Sequence, residues 1–422
     1  MIFREQSFFA SLFSKSWVSV LLTILVTVLM FGFLIFIHEL GHYLTARLCK
    51  VSIREFSIGM GPKIYGRVSK KTGILYSLRA LPIGGYVAME GEDTESPDPN
   101  AFHKKKVWQR MLITAAGGFM NLLLGVILTF VYVLTFPKYY GNTVVDYPEF
   151  SYSNQCTEPL QVGDEILSID GHSVRTGQEI VYELFRAGGD KKKVYTDEEA
   201  EKVMMKVDLT VLRNGEKIVL HDVVFPVGKD EGVSYGLRDF YYNAEAKSLS
   251  STFKNVGRQM RLNVKMVYES LFDLLRGRYG LNQISGPVGT AGVVGEALKN
   301  DATASEGQSR NSFLYLFMII SVNLGLFNLL PIPALDGGRL FFQLIELIFR
   351  KPVPLKYEGM IHTVGLLLLL LLKRNQQGHV HAVRYHRQIH RRCLSQDFRL
   401  LMDHLLQGSL LRLPVLIIRS QE

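Results

Sequence analysis

The chain has 422 residues, of which 47% are hydrophobic and 21% are charged, and its formal net charge is +9. This composition excludes an intrinsically disordered protein, and the length allows more than one domain. The three cysteines, Cys49, Cys156 and Cys393, show no CxxC spacing, so neither a disulfide framework nor a thiolate zinc site is predicted. The distribution of hydrophobic residues along the chain must therefore separate a soluble protein from a membrane protein.

Three windows without Asp, Glu, Lys or Arg predict membrane-spanning helices. They cover residues 16–37, 111–137 and 311–335, with lengths of 22, 27 and 25 residues. At ~1.5 Å per residue, each is long enough to cross a hydrocarbon core of ~30 Å. A fourth apolar run, 359–372, has 14 residues and is short for a span. No small-residue cleavage site follows the first window, so we expect it to be retained and not removed as a signal peptide.

The loop between the first two windows predicts the orientation of the chain. It is rich in lysine and arginine from Lys50 to Arg110, which by the positive-inside tendency makes it cytoplasmic and the N-terminus external. Within it, "GILYSLRALPIGGYVAME" has strand-forming residues around Gly84-Gly85. This pattern predicts a hairpin or sheet edge that packs against the protein at the membrane face.

The segment between the second and third windows predicts a soluble domain and a connector. "LQVGDEILSIDGHSV" and "VDLTVLRNGEKIVLHDVVFPV" combine short strands with Asp-Gly and Asn-Gly turns, which predicts a small strand-dominated domain able to bind an extended peptide by strand addition. Residues 250–278 have amphipathic helical spacing, suited to packing on the domain or lying on the membrane surface. "GPVGTAGVVGEA" is rich in glycine and predicts a loop or re-entrant segment.

Candidate chemistry begins at the end of the first window, where His38, Glu39 and His42 form H-E-x-x-H. On a helix the two histidines, four residues apart, can bind one zinc ion, with the glutamate beside the remaining coordination position. The alternative is a buried polar network of histidines. Because ionisable groups in a membrane helix are costly and usually mark function, the location favours the metal site.

A catalytic zinc usually has three protein ligands, and Asp336 is the predicted third. It is the first charged residue after the third window and follows Pro331 and Pro333. A helix cap or a turn aspartate before Gly337 is the alternative. Since the first and third spans both run inward, however, His38 and Asp336 should meet at the cytoplasmic side.

Two of these segments together are similar to a known family. "FIHELGH" and "NLGLFNLLPIPALDGG" resemble the site-2 protease family of intramembrane zinc metalloproteases, in its bacterial branch that regulates sigma factors. "EFSIGMGPKIYG", "LPIGGYVAMEGED", "GGFMN" and "GPVG" follow the family's order, so the resemblance covers residues 17 to about 372. The soluble insert resembles a single PDZ domain, as in the Gram-positive members.

The resemblance implies a role for each candidate residue. His38, His42 and Asp336 would hold Zn²⁺, and Glu39 would polarise the bound water and pass its proton to the leaving amine.

The resemblance also implies substrate-binding residues. Asn323 and Asn328 would hold the substrate backbone, although hydrogen bonding between helices is the alternative for each. The strand near Gly84 and Tyr86 would present an edge that keeps the substrate extended.

The predicted function is hydrolysis of peptide bonds within the transmembrane segment of single-span proteins, such as an anti-sigma factor or signal-peptide remnants. The predicted location is the bacterial plasma membrane, as a multi-pass protein in contact with the lipid bilayer and with no nucleic-acid partner. A non-catalytic zinc-binding membrane protein or chaperone is one alternative, but it would not need Glu39. A metal transporter is another, against which the large outer domain and the single site argue.

The predicted fold class is an α-helical polytopic membrane protein with about four transmembrane helices, a membrane-associated β-hairpin or sheet and an inserted PDZ-like α+β domain. The predicted boundaries are 1–49 for the first transmembrane helix with HExxH, 50–106 for the cytoplasmic loop, 107–137 for the second transmembrane helix, 140–230 for the PDZ-like domain, 248–280 for the amphipathic helix, 311–350 for the third transmembrane helix and the helix after it, 357–372 for a short fourth transmembrane helix and 373–422 for a basic tail.

Two stretches depart from the family pattern. "SNQCTEPLQVGDEI" replaces the small-residue helix of a PDZ domain, so the domain is predicted to exclude bulky substrates and need not bind a carboxylate. The tail 373–422 holds five of the eleven histidines and many arginines, although topology would place it outside. Its composition invites a metal or nucleic-acid role, but we hypothesise a reading-frame slip, which resequencing of the gene would test.

Overall fold

The computed structural model describes residues 16–365 apart from gaps at 93, 191, 198–201, 231–232, 277–286, 304–310, 352, 355–358 and 362–363. The described residues form two compact units, one of residues up to 132 and from 263 onward and one of residues 133–262. Most of the predicted fourth span, 357–372, and all of the tail, 373–422, lie outside the described residues.

The helices and strands of the described residues follow one another along the chain in a mixed order. They are α1 (Ser16–Leu48), β1 (Ile53–Val68), β2 (Leu75–Met89), a 3₁₀ turn (Phe102–Lys104), α2 (Val107–Thr135), β3 (Tyr139–Asp146), β4 (Glu165–Ile169), β5 (His172–Ser173), α3 (Gly177–Gly188), β6 (Val194–Asp197), β7 (Lys202–Arg213), β8 (Glu216–Asp230), β9 (Val233–Gly236), β10 (Tyr241–Glu245), α4 (Leu249–Leu275), α5 (Pro287–Thr303), α6 (Ser312–Phe327) and α7 (Asp336–Phe349).

Two of the described helices, α1 and α2, are long and apolar enough to cross a membrane. Both carry exposed apolar side chains along their length, including Trp17 and Leu29 on α1 and Phe119 and Ile127 on α2. Such contiguous apolar exposure is unusual for a surface in water and suits contact with lipid. Helix α1 continues past its uncharged window to Leu48 and carries the H-E-x-x-H segment as predicted, whereas α2 begins before its window and ends within it.

The third uncharged window is helical over only 16 of its 25 residues. Helix α6 ends at Phe327, and the chain then passes through Pro331 and Pro333 before α7 begins at Asp336. Proline lacks the backbone donor and clashes with a preceding helical turn, so the helix stops before this pair. At ~1.5 Å per residue α6 is ~24 Å long, shorter than the hydrocarbon core.

The glycine-rich segment near residue 287 differs from the sequence-based expectation. We predicted a loop or re-entrant piece there, and the loop was wrong, because Pro287–Thr303 forms helix α5. The re-entrant alternative stays a prediction. Proline suits the first helical position, where its missing N–H is not needed. A Cβ on Gly295 would lie 3.0 Å from Thr23 Oγ1 of α1, so the small residue allows α5 to pack closely on α1.

Strands β1 and β2 are bent, and each takes part in two pairings. Residues 53–58 pair with residues 85–89 on one side and with 75–78 on the other, and 75–78 also pair with 65–68. The result is effectively a four-stranded sheet with the segment 85–89 at one edge, in which 55–58 and 75–78 run parallel and the other neighbouring segments run antiparallel. No further strand pairs with that edge among the described residues.

The second unit is a mixed domain built on one sheet. Its strand order is β10-β3-β4-β7-β8-β9, with β5 beside β4 and β6 beside β7. Helix α3 begins after Thr176, whose side chain accepts a hydrogen bond from the Glu179 N–H, and it buries Ile180 and Leu184 in the core of the sheet. This is an N-cap, which supplies a partner for a free donor of the first helical turn.

The sheet extends past the predicted boundary at residue 230, because β10 pairs antiparallel with β3. Tyr242 of β10 packs beside the start of α3, where a Cβ on Gly177 would lie 2.7 Å from Tyr242 Cε1. Asn243 Oδ1 accepts a hydrogen bond from the Thr143 N–H of β3 at 3.2 Å. Strand β3 therefore has a neighbouring strand on each side, β10 and β4, and is not an edge of the sheet.

We expect replacement of Arg213 by alanine to destabilise this second unit by about 3 kcal/mol. Arg213 binds the fully buried carboxylate of Asp164 through two N–H···O bonds of 2.8 Å, and its removal leaves that charge without its cation. Pulse proteolysis of the full chain in detergent measures the change. Lys206→Ala is the matched control, since the Lys206–Asp222 pair is exposed and 3.7 Å apart. Equal effects of the two variants would contradict the prediction.

Candidate metal centre

The centre of the first unit is a cluster of His38, His42 and Asp336. The two histidines lie one turn apart on α1, with their Nε2 atoms 3.2 Å from each other. Asp336 Oδ2 lies 3.0 Å from His38 Nε2 and 3.2 Å from His42 Nε2. Two residues on one helix and a third nearly three hundred residues later therefore bring three ligand atoms to one point.

Helix α7 is fixed along α2, and this sets the position of Asp336 at its first turn. Gln343 Nε2 donates a hydrogen bond to Thr114 Oγ1 at 3.0 Å, and Arg110 forms a 2.5 Å ion pair with Glu346. Just before Asp336, Ala334 has a φ of +72°, a conformation that costs an L-residue energy. Such strain is retained only where the surroundings impose it, in this case at the turn that presents the aspartate.

The donor set fits a zinc ion. The ligand atoms of a tetrahedral zinc with ~2.0 Å bonds lie roughly 3.3 Å apart, close to the three separations in this cluster. Asp336 Oδ2 is buried and faces the Nε2 atoms of His38 and His42, with no other hydrogen-bond partner in the part of the chain that the structure describes. His42 Nδ1 faces the Ile113 carbonyl oxygen at 2.8 Å, so in a neutral His42 this nitrogen donates and Nε2 carries a lone pair. Electron-rich atoms at this distance repel one another unless a proton or a metal ion lies between them, and a zinc ion fits these separations.

Helix α2 approaches the cluster so closely that only glycine fits at residue 117. A Cβ there would lie 2.7 Å from both Cε1 and Nε2 of His38 and still closer to His42 Nε2. The helices cannot easily separate, because a Cβ on Gly41 would meet the backbone of Ala116, and one on Gly325 would lie 2.8 Å from Gly118 O. Gly117 therefore forms the wall of the space in which the metal would sit.

A cavity of about 530 Å³ opens beside the cluster. The residues lining it are His38, Glu39, His42, Arg54, Tyr86, Val87, Ala88, Met89, Gly91, Glu92, Thr94, Thr114, Asp336 and Arg339. The charged groups in this list make the wall of the cavity polar, so water can occupy the cavity. The cavity is thus large enough and polar enough to hold water and an extended stretch of peptide.

Glu39 lies beside the edge strand of the β1–β2 sheet. A Cβ on Gly85 would lie 3.5 Å from Glu39 Cγ, so this strand passes directly alongside the glutamate. Tyr86, which follows Gly85 in the edge strand, hydrogen bonds to Glu55, and so does Arg79 from the earlier part of β2. Burial raises the pKa of the Glu55 carboxyl, but hydrogen bonds from Ser77, Tyr86 and Arg79 outweigh it and hold the pKa below its ordinary value. The charged Glu55 of β1 therefore binds side chains from two parts of β2 and fixes the edge segment 85–89 in the sheet.

The predicted site residues fall into two groups. His38, Glu39, His42, Asp336 and Tyr86 all line the one cavity.

Gly84, Asn323 and Asn328 are not among the residues lining that cavity. Gly84 has a φ of +93° and shapes the bend before the edge strand. Asn323 is half-buried on α6, and Asn328 is buried where that helix ends. Their predicted contacts with a substrate stay predictions.

Sequence reasoning missed three residues that contact the cluster: Ile113, Gly117 and Asn121. The last two belong to "GGFMN", which was noted only as a family segment. Their spacing of four places them on one face of α2. That spacing was the available signal, although it did not say which helix the face would meet.

Two imidazoles and a carboxylate around one point, with a free glutamate beside them in a water-accessible cavity, define the site of a metal-dependent hydrolase. The sequence matches the model of peptidase family M50 over residues 26–372. The chain therefore belongs to peptidase family M50, the site-2 protease family, and is a metalloprotease.

Relatives from several bacteria support this membership. A protein named as a zinc metalloprotease in Fusobacterium nucleatum is 36% identical over 358 residues, covering 83% of this chain and 95% of the relative. One from Clostridium perfringens, named in the same way, is 34% identical over 348 residues, with 82% and 95% covered. The zinc metalloprotease RasP of Geobacillus kaustophilus is 27% identical over 439 residues, with 84% and 96% covered. At the family level, these names confirm the predicted zinc-dependent hydrolase.

Proposed function

We propose that this protein is an intramembrane zinc protease that hydrolyses a peptide bond within the transmembrane segment of single-span membrane proteins. The observation that carries the proposal is the convergence of His38, His42 and Asp336 beside Glu39, at the end of a helix long and apolar enough to cross a membrane. A soluble hydrolase has no need of such a helix. Ionisable groups are costly in a membrane helix, and they are usually retained there for a function such as metal binding.

In the proposed mechanism His38, His42 and Asp336 hold the zinc ion. When bound, zinc supplies the Lewis acidity that makes water nucleophilic and polarises the scissile carbonyl. Glu39 accepts a proton from the attacking water and delivers it to the leaving amine. The burial of His38 and His42 strengthens the electrostatic interactions of the cluster.

The edge strand 85–89 supports a way to present the substrate. A transmembrane helix hides its peptide bonds inside hydrogen bonds, so the substrate must unwind before it can be cut. An unwound segment needs new partners for its backbone groups, and strand addition to the edge near Tyr86 would provide them. Because Gly85 lies against Glu39, the paired segment would pass the proposed general base. Asn323 and Asn328 are proposed to bind further amide groups of the substrate.

The proposed setting is the bacterial plasma membrane, with the protein crossing it several times. Exposed apolar side chains on α1 and α2 and the basic loop between them support spans whose connecting loop is cytoplasmic. The PDZ-like domain would then lie outside the cell and limit the size of the substrate's outer part. An anti-sigma factor already trimmed by another protease is a substrate of the expected kind.

Chelation and zinc restoration should switch the activity off and on. We expect the purified chain, reconstituted in liposomes with a single-span anti-sigma factor, to cut within the apolar segment of that substrate. Treatment with a chelator should abolish cleavage, and one equivalent of Zn²⁺ should restore it, because the cluster has a single set of ligands. Mass spectrometry of the products locates the cut. Cleavage only in the soluble part of the substrate, or zinc-independent cleavage, would contradict the proposal.

The same vesicles test the transporter alternative. A metal transporter would accumulate Zn²⁺ inside them without any peptide substrate. We expect no such uptake, because a single group of candidate ligands, His38, His42 and Asp336, lines the cavity beside Glu39.

A further inference from the structure

Asn121 is a buried residue of the first unit whose hydrogen bonding the mechanism leaves unexplained. Its side chain is fully buried on α2, and its Nδ2 lies 3.3 Å from Nδ1 of His38. Its Oδ1 has no hydrogen-bond partner among the described residues. A buried polar atom without a partner is costly, so this arrangement requires an explanation.

The tautomer of His38 explains the orientation of the amide. With Nδ2 of Asn121 as donor, His38 Nδ1 must accept, which puts the imidazole proton on Nε2. That nitrogen is the one that faces Asp336 Oδ2 at 3.0 Å. This tautomer suits a hydrogen bond to the aspartate but cannot bind a metal through Nε2.

Zinc binding reverses the requirement. When Nε2 of His38 carries the lone pair that binds the metal, Nδ1 carries the proton and needs an acceptor. A half-turn of the Asn121 amide brings Oδ1 to the place that Nδ2 occupies, because the two ends of an amide have the same shape. One side chain can thus serve both tautomers of the same histidine.

We infer that Asn121 is a positioning residue of the zinc site, whose Oδ1 accepts the Nδ1–H of His38 and so fixes the ring with Nε2 toward the metal. The Ile113 carbonyl does the same for His42. The main-chain oxygen of Asn121 also accepts a hydrogen bond from Ser321 Oγ at 2.8 Å, which ties α2 to α6 at this level. The inference rests on the proposed role of His38 as a zinc ligand.

Zinc affinity, measured by competition with a chelator on the full chain in detergent, tests the inference without reference to proteolysis. Asn121→Leu keeps the size of the side chain but removes the acceptor, and it should weaken zinc binding by about 10- to 100-fold. Asn121→Asp keeps an acceptor and should bind zinc about as tightly as the wild type. Ser321→Ala, which removes only the bond to the main-chain oxygen, should leave zinc affinity unchanged.

Three outcomes would overturn the inference: undiminished zinc affinity in a folded Asn121→Leu variant, equal losses in the Asp and Leu variants, or a loss in Ser321→Ala as large as in Asn121→Leu. Should Asn121→Leu fail to fold, ¹⁵N NMR of the zinc-loaded wild type decides. It must find the Nδ1 proton of His38 in a hydrogen bond to the side chain of Asn121, and an Nδ1 proton without that bond would reject the inference. If His38→Ala keeps its zinc, the assignment of the metal site fails instead, and that result is distinct from those above.

Discussion

Replacement of Glu39 by glutamine should reduce proteolysis by about 10²–10⁴-fold while the zinc content stays at one ion per chain. Glutamine has the shape of glutamate but cannot accept a proton, and general acid–base groups contribute a factor of this size. Zinc should remain because Glu39 is not one of the three clustered ligand residues. Cleavage of the reconstituted anti-sigma factor, together with metal analysis of the same sample, measures both quantities.

Two further variants are controls for the Glu39 result. Glu92→Gln changes a carboxylate that lines the same cavity and pairs with Arg339 at 2.5 Å, and it should retain most of the activity. Asp336→Ala should lose both zinc and cleavage, because it removes a ligand. Rapid cleavage by a zinc-loaded Glu39→Gln protein would show that another group moves the proton, and the mechanism would then be wrong.

Replacement of Gly117 by alanine should abolish zinc binding, because the added methyl group would fill the space between the two histidines. The methyl carbon would lie 2.7 Å from His38 Nε2 and nearer still to His42 Nε2, in the place where the metal must bind. Helix α2 cannot move away without breaking its close contact with α6 at Gly118 and Gly325. We expect a loss of stability of about 1–3 kcal/mol from overpacking in addition to the loss of zinc.

Gly292→Ala is the matched control for this second prediction. It makes the same substitution in helix α5 of the same unit, where no atom lies within 4 Å of the added carbon. Alanine is the better helix former by about 0.5–1 kcal/mol, so this variant should be at least as stable as the wild type and fully loaded with zinc. Thermal unfolding in detergent and metal analysis compare the two. Normal zinc affinity in Gly117→Ala would mean that the metal binds elsewhere.

Two candidate spans and the three clustered residues His38, His42 and Asp336 were predictable, because each leaves a signal in a short stretch of sequence. Long windows without charge predict helices, and H-E-x-x-H places His38 and His42 on one face through helical periodicity alone. Asp336 could be assigned because a membrane segment offers few ligands, and it is the first acidic residue after the third window. The structure brings these three side chains to one cluster.

The errors of prediction arise where local composition competes with packing. Glycines in "GPVGTAGVVGEA" indicated a loop, but at least one of them, Gly295, serves close contact between α5 and α1. The boundary at residue 230 was too early, since β10 belongs to the sheet only through its pairing with the distant β3. Neither contact leaves a periodic pattern in the sequence.

The sequence by itself determined the class of the protein: its apolar spans, the histidine pair with its glutamate and the family to which these belong. Only the tertiary structure decided that Gly117 forms the wall of the metal site, that Asn121 faces His38 and that Gly85 lies beside Glu39. Ligand type and helical spacing are properties of short segments, whereas these contacts depend on how closely two helices and a strand approach. That distance is set by the packing of the whole unit, so residues around the ligands are recognised only once the fold has brought them together.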